Sequence, residues 1–171
     1  MSLYLALPEI AFLINGFVIV YIIVQKRRSK INRAFLIYSW NIAFWILCII
    51  IIRGNPDNNS IITIFKLASV AWLSIGFLFL NFTYAYINKS RDWIYYTLGI
   101  LLMIAVIVSS TTGYVIRGYT NYFWGAAAMY GEMFIPAVIV VILSPVTLAL
   151  YMIFRNASRS ESVLIKKQHL L

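Results

Sequence analysis

Residues 25–33, QKRRSKINR, set five basic side chains, Lys26, Arg27, Arg28, Lys30 and Arg33, between two long apolar runs. A charged side chain costs about 2.5 to 3.5 kcal/mol at the centre of an inserted helix, so this cluster lies outside hydrocarbon and ends a first membrane span. Lys and Arg near span ends are retained on the cytoplasmic side. The stretch therefore reads as a short cytoplasmic loop, and the N-terminus is expected outside.

Composition points the same way. The chain is 63% hydrophobic and 11% charged with a mean hydropathy of +0.87, whereas soluble domains average about 45 to 50% apolar and about 25% charged residues. The expected fold class is an all-α polytopic membrane helix bundle, solvated by lipid rather than water. A net charge of +9 would suit nucleic acid in a soluble protein. Here the basic residues flank apolar runs, so membrane lipid with anionic headgroups is the expected partner and nucleic acid is not.

Five transmembrane helices are expected, at about 3–24, 34–52, 61–87, 93–112 and 133–154, against a requirement of roughly 20 residues to cross about 30 Å of hydrocarbon. The first run lacks a basic leader and a small-residue cleavage site, so it is expected to be a retained span with Pro8 in its first turn. Lys89, Arg91, Arg155, Arg159, Lys166 and Lys167 join the first cluster on the cytoplasmic side, making eleven. Arg53 and Arg117 fall outside and Lys66 lies within the third span. This bias predicts an external N-terminus and a cytoplasmic C-terminus in a cell (inner) membrane.

Several positions carry local meaning. Asn15, Asn41 and Asn81 are amides inside apolar runs and are expected to bond across helix interfaces, with Gly16 permitting close approach. The segment 54–60 is a turn with a sequon at Asn58, and Gly113 is expected to end the fourth helix. Residues 112–132 form the longest outer loop, rich in Gly and aromatics, which reads as an interfacial or re-entrant cap or as a ligand lid. Pro145 is expected to kink the fifth span. The chain divides into a transmembrane domain over 1–155 and a tail over 156–171. In that tail Ser158 and Glu161 stand at capping-box spacing, so an interfacial helix or the start of a sixth span is expected.

Catalysis is not expected. His169 is the only histidine and lies in the tail, and the five carboxylates are scattered, so no metal site, cofactor or acid-base pair assembles. Cys48 is the only cysteine and reads as a small buried hydrophobe. One constellation remains. Glu9, Lys66, Arg117 and Glu132 fall toward the outer leaflet, where with Trp124 and Tyr130 they form a candidate pocket for a small-molecule ligand. A helix-holding salt bridge is the competing reading.

Asn32, Arg33, Ala34 and Phe35 entering the second helix, Trp45, the Phe65-Lys66 pair, Trp72, Phe82, Tyr84, Tyr130-Gly131 and Lys167-Gln168 together resemble the N-terminal seven-helix sensory region of histidine kinases. The resemblance implies a sensory input module of a two-component system that passes an extracellular or membrane-borne signal to a cytoplasmic output domain or partner protein. A homodimer is among the assemblies it allows. The family pattern continues into two more helices, so the chain reads as truncated after the fifth, and His169 is not expected to be a phospho-acceptor. The alternatives are a small proton-coupled transporter subunit using Glu9 or Glu132, and a noncatalytic membrane assembly protein.

Overall fold

The computed structural model describes residues 3–25, 29–54, 60–122 and 125–168, with backbone alone at 3–5, 125 and 159–168. Lys26 to Arg28, the turn and sequon at 55–59, Trp124 and His169 lie outside the described residues. Four helices lead the chain: α1 (Leu3–Val24), α2 (Lys30–Gly54), α3 (Ile61–Tyr86) and α4 (Trp93–Thr111). A fifth helical run, α5, extends over 134–168 as an α turn (Phe134–Ala137), a π segment (Val138–Leu143) and a long α segment (Ser144–Gln168). Five helices are long and apolar enough to cross a membrane. Helix α1 begins a turn earlier than Pro8 suggests, which leaves the proline inside it.

The departure from an all-α chain lies in the long loop at 112–132. Residues Ile116–Tyr122 (β1) and Gly125–Tyr130 (β2) form an antiparallel hairpin. Between the pairs Ile116–Tyr130 and Gly118–Met129 the register slips at Arg117, a bulge that leaves this residue unpaired in the ladder and its side chain exposed. β-branched and aromatic residues in β1 favour a pleated strand.

Helix α3 sits at the centre, packed on α2, α4, α5 and β1. Its face toward the others is built of small residues, Ala68, Ser69, Ala71 and Gly76, which let neighbouring backbones approach. Polar side chains pin these interfaces. Asn15 donates from Nδ2 to the Ser39 carbonyl at 2.8 Å, joining α1 to α2, and Asn41 donates to the Ala71 carbonyl at 2.8 Å, joining α2 to α3. Ser69 and Ser109 bond hydroxyl to hydroxyl between α3 and α4. Among the described residues no buried side-chain nitrogen or oxygen lacks a partner, as hydrocarbon demands.

Side chains bond backbone at both ends of α4, as a cap at the start and as back-bonds within the last turns. Asp92 accepts from the Tyr95 amide. The hydroxyls of Ser110, Thr111 and Thr112 donate back to the carbonyls of Val106, Ile107 and Val108, and the chain leaves the helix at Thr112, before Gly113. In α5, Pro145 is met by the π segment before it. Pro145 has no amide to offer the Val141 carbonyl, and widening the preceding turns relieves its ring against that carbonyl. No new helix starts at Ser158: the α segment from Ser144 to Gln168 is unbroken, so the helix of the fifth span runs on into the tail.

Gly76 faces this π segment. A Cβ there would lie 2.7 Å from the Ile142 carbonyl oxygen and 2.9 Å from that of Val141. Gly16, by contrast, has open space where the sequence reading expected close approach. Gly76→Ala is therefore expected to lose about 1 to 3 kcal/mol of stability through overpacking. Gly16→Ala is expected to be neutral or slightly stabilising, by up to about 1 kcal/mol of helix propensity. Reversible unfolding in mixed micelles measures both.

The turn between α3 and α4 has its own charge arrangement. Lys89 Nζ lies 2.8 Å from Asp92 Oδ2, and the Tyr84 hydroxyl donates to Oδ1 at 2.6 Å. These two bonds, Lys89 first, hold the Asp92 carboxyl down to about 2. Its unfolded value is about 3.9. The stabilisation is thus complete above pH ~4 and lost as pH falls through about 2. Unfolding midpoints are expected to fall with Asp92→Asn at pH 7 and to fall by much less at pH 2.

Candidate functional site

At the hairpin end the elements do not close completely. Helix α2 presents Trp45, Ile49, Ile52 and Arg53, and α3 presents Phe65, Ala68, Trp72 and Ile75. Both sets follow the three-and-four spacing that lines one helix face. Strand β2 crosses above them with Ala126, Ala127, Ala128 and Tyr130, and α5 contributes Phe134 and Ile142. The alanines leave space that larger side chains would fill. The result is a half-open cavity of about 490 Å³, within the usual range of roughly 300 to 1,000 Å³ for small-molecule sites.

Aromatic contacts stiffen the rim. Tyr130 and Phe134 stack at 3.8 Å between centroids, Trp72 meets Phe134 at 5.5 Å, and Phe65 stacks on Tyr119 at 6.4 Å. Between the hairpin and helices α2 and α3, Ile52, Ile61, Phe65, Ala68, Val115, Ile116 and Ala126 pack with Cys48 in one buried apolar cluster. Arg53, in the last turn of α2, is the one charged residue in the lining among the described residues, placed where the helix carbonyl end favours a cation. Such a cavity accepts an apolar or aromatic body with a polar group near Arg53. Among the described residues no three metal-ligating side chains come together.

Of the six residues singled out in the sequence, the cavity takes Tyr130. Glu132 and Arg117 are exposed at the base of the hairpin, Glu9 is partly buried on α1, and Lys66 is partly buried on α3. None of these four lines the cavity, and among the described residues no ion pair joins them. Arg117 sits in the bulge of β1, and α1 packs on α2. Apart from Tyr130, no wall residue is singled out as a site from charge or depth, because the wall's signal is the absence of charge: aromatic and small side chains recurring on two helix faces.

A comparison with protein families matches residues 8–171 to the N-terminal 7TM region of histidine kinase. The chain belongs to this family. The histidine kinase 7TM region is a membrane sensory input region and not a catalytic domain. No curated protein and no solved structure matched the chain. Trp45, Phe65, Trp72 and Tyr130, four residues that carry the resemblance to histidine kinase 7TM regions, are cavity wall.

The return from the hairpin into α5 is tight. The Gly131 amide donates to the Val115 carbonyl and the Met133 amide to the Tyr114 carbonyl, each at 3.0 Å. A Cβ on Gly131 would lie 2.2 Å from the Tyr114 carbonyl oxygen. Gly131→Ala is expected to displace this return and open the cavity, seen as faster hydrogen exchange of the hairpin amides. Gly113→Ala, whose Cβ would meet nothing closer than 3.8 Å, is expected to leave exchange unchanged.

Proposed function

We propose that this histidine kinase 7TM region senses an apolar or aromatic small molecule, or the apolar part of a membrane-borne one, held in the cavity between α2, α3, β2 and α5. The observation that carries the reading is the coincidence of the cavity wall with Trp45, Phe65, Trp72 and Tyr130. The hairpin end faces outward and the C-terminal end of α5 faces the cytoplasm, supported by the eleven basic residues on one side against two on the other. The membrane is the cell (inner) membrane, and the output is a cytoplasmic kinase domain or partner protein.

The relay rests on which walls are fixed. Asn41 ties α2 to α3 by a hydrogen bond to the Ala71 carbonyl, so these two walls hold their spacing. The other two walls, β2 and the first turns of α5, are joined through Gly131, and α5 passes directly into its π segment. A ligand that contacts Phe134 and Ile142 differently in two settings of α5 shifts the population between them. A π segment offers such settings, because shifting its one extra residue along the helix turns the residues it passes to another face.

The experiment uses the full-length protein in nanodiscs and reads its output against a panel of apolar and aromatic compounds. Ala128→Phe, which fills the cavity, and Trp72→Ala, which removes wall, are expected to cut the response at least about tenfold, in line with burial of an aromatic body. Lys66→Ala and Glu132→Ala are expected to have smaller effects. If those two abolish the response while Ala128→Phe leaves it intact, the sensing site is the ionic set and not the cavity.

A further inference from the structure

A second cavity, of about 640 Å³, opens at the opposite end of the bundle between the first turns of α2 and the turn joining α3 to α4. Four of its lining residues are cations: Lys30 and Arg33 from α2, Lys89 and Arg91 from the turn. It is independent of the sensing cavity, sharing none of its lining residues.

The local sequence builds this arrangement. Ser29 accepts from the Asn32 amide at 3.1 Å, starting α2 so that Lys30 and Arg33, three apart, share one face. At the end of α3 the Lys89 amide donates to the Tyr84 carbonyl and the Asn88 amide to that of Ala85. This is a Schellman turn with Asn88 at a φ of 52° in the left-handed position. The turn brings Lys89 and Arg91 to the cavity. Both are held: Arg91 Nη2 donates to Asn81 Oδ1 at 2.9 Å and its guanidinium lies 5.1 Å from the Tyr95 ring centre. Lys89 is held by Asp92 and lies 5.3 Å from the Tyr84 ring centre.

The charges do not cancel. Asp92 is the one carboxylate in contact with this group among the described residues. Its oxygens are already taken by Lys89, by the Tyr84 hydroxyl and by the Tyr95 amide. Lys30 and Arg33 have no carboxylate partner among the described residues, and the first turn of α2 carries no acidic residue. Cations in a first helical turn oppose the positive end of the helix dipole. An anion at that place satisfies the dipole and four cations together. Trp93 and Tyr96, both exposed, mark this level as the membrane interface, where phosphate headgroups lie.

We propose that this pocket binds a phosphate oxyanion, supplied by an anionic lipid headgroup or by a soluble phosphate. Arg33 and Arg91 are the forked donors to it, and Lys30 and Lys89 supply further charge. Ala34 and Ile37 give an apolar wall beside them, which suits the adjoining part of a lipid.

The test titrates the purified chain in neutral detergent with phosphatidylglycerol, with phosphatidylcholine and with inorganic phosphate, reading bound ligand by native mass spectrometry. Phosphatidylglycerol is expected to bind in preference to phosphatidylcholine. The double variant Lys30→Gln/Arg33→Gln is expected to lower its affinity on the order of tenfold or more. The variant Arg155→Gln/Arg159→Gln removes the same charge from the same end of the bundle and is expected to change it less than about threefold. Binding of inorganic phosphate with the same dependence on Lys30 and Arg33 also supports the site and identifies its source as soluble. Equal losses in the two double variants, or no preference for either phosphate ligand over phosphatidylcholine, overturn it.

Discussion

The contact between Gly76 and the carbonyls of Val141 and Ile142 sets the spacing on which the rest of the bundle depends. In a bilayer, lipid is as apolar as leucine, so helices gain little from burying apolar surface against one another. Close backbone approach and shared polar groups do that work. Here one glycine on α3 admits the π segment of α5, and that segment exists because Pro145 succeeds it. Gly76, Pro145 and the π turn are one device in three parts. Changing any of them moves α5 relative to the helix that carries most of the interior.

That spacing also decides where space is left over. Drawn close to α3 at Gly76, α5 keeps Phe134 and Ile142 on the wall of the hairpin-end cavity. Strand β2 fills the gap between α2 and α5 with alanines rather than large side chains. The same helix α3 ends at the other side in a Schellman turn, whose left-handed Asn88 sends Lys89 and Arg91 back across the α2 terminus. The two cavities are thus consequences of how α3 begins and ends. One is apolar because it is roofed by a hairpin of small residues. The other is cationic because both chain segments that meet there are the basic ends of spans.

The helices were legible in the sequence because a bilayer imposes length and polarity on them directly. The spans at 3–24, 61–87 and 93–112 agree with α1, α3 and α4 within a residue, and α2 adds a polar turn at its start where Ser29 caps it. Asn15 and Asn41 were visible as amides with nowhere to go but a neighbour's carbonyl. The hairpin was not legible. Its strands carry no alternation of apolar and polar residues, and its glycines and aromatics look the same in an interfacial cap. The ionic pocket was inferred from depth alone, and depth says nothing about which side of a helix or strand a charge occupies. The bulge at Arg117 and the packing of α1 on α2 are decided by tertiary contacts that no local pattern encodes.

The apolar surface left outside obeys the same logic and bounds what the signal has to move. On α1, Leu7, Leu13, Ile14, Phe17, Tyr21 and Val24 are exposed, and α4 exposes Ile100, Met103, Ile104 and Ile107. Side chains facing lipid gain almost nothing from one orientation over another, so what holds α1 and α4 in place is their polar bonds to the interior helices, Asn15 to Ser39 and Ser69 to Ser109. Helices α2 and α3 are joined likewise, by the Asn41 side-chain hydrogen bond and small-residue packing. It follows that a ligand acts on α5 only if its contacts to Phe134 and Ile142 differ between two settings by more than the strain of shifting Gly76 against the π carbonyls. A change that loosens that contact therefore weakens discrimination between settings even when the cavity wall is intact.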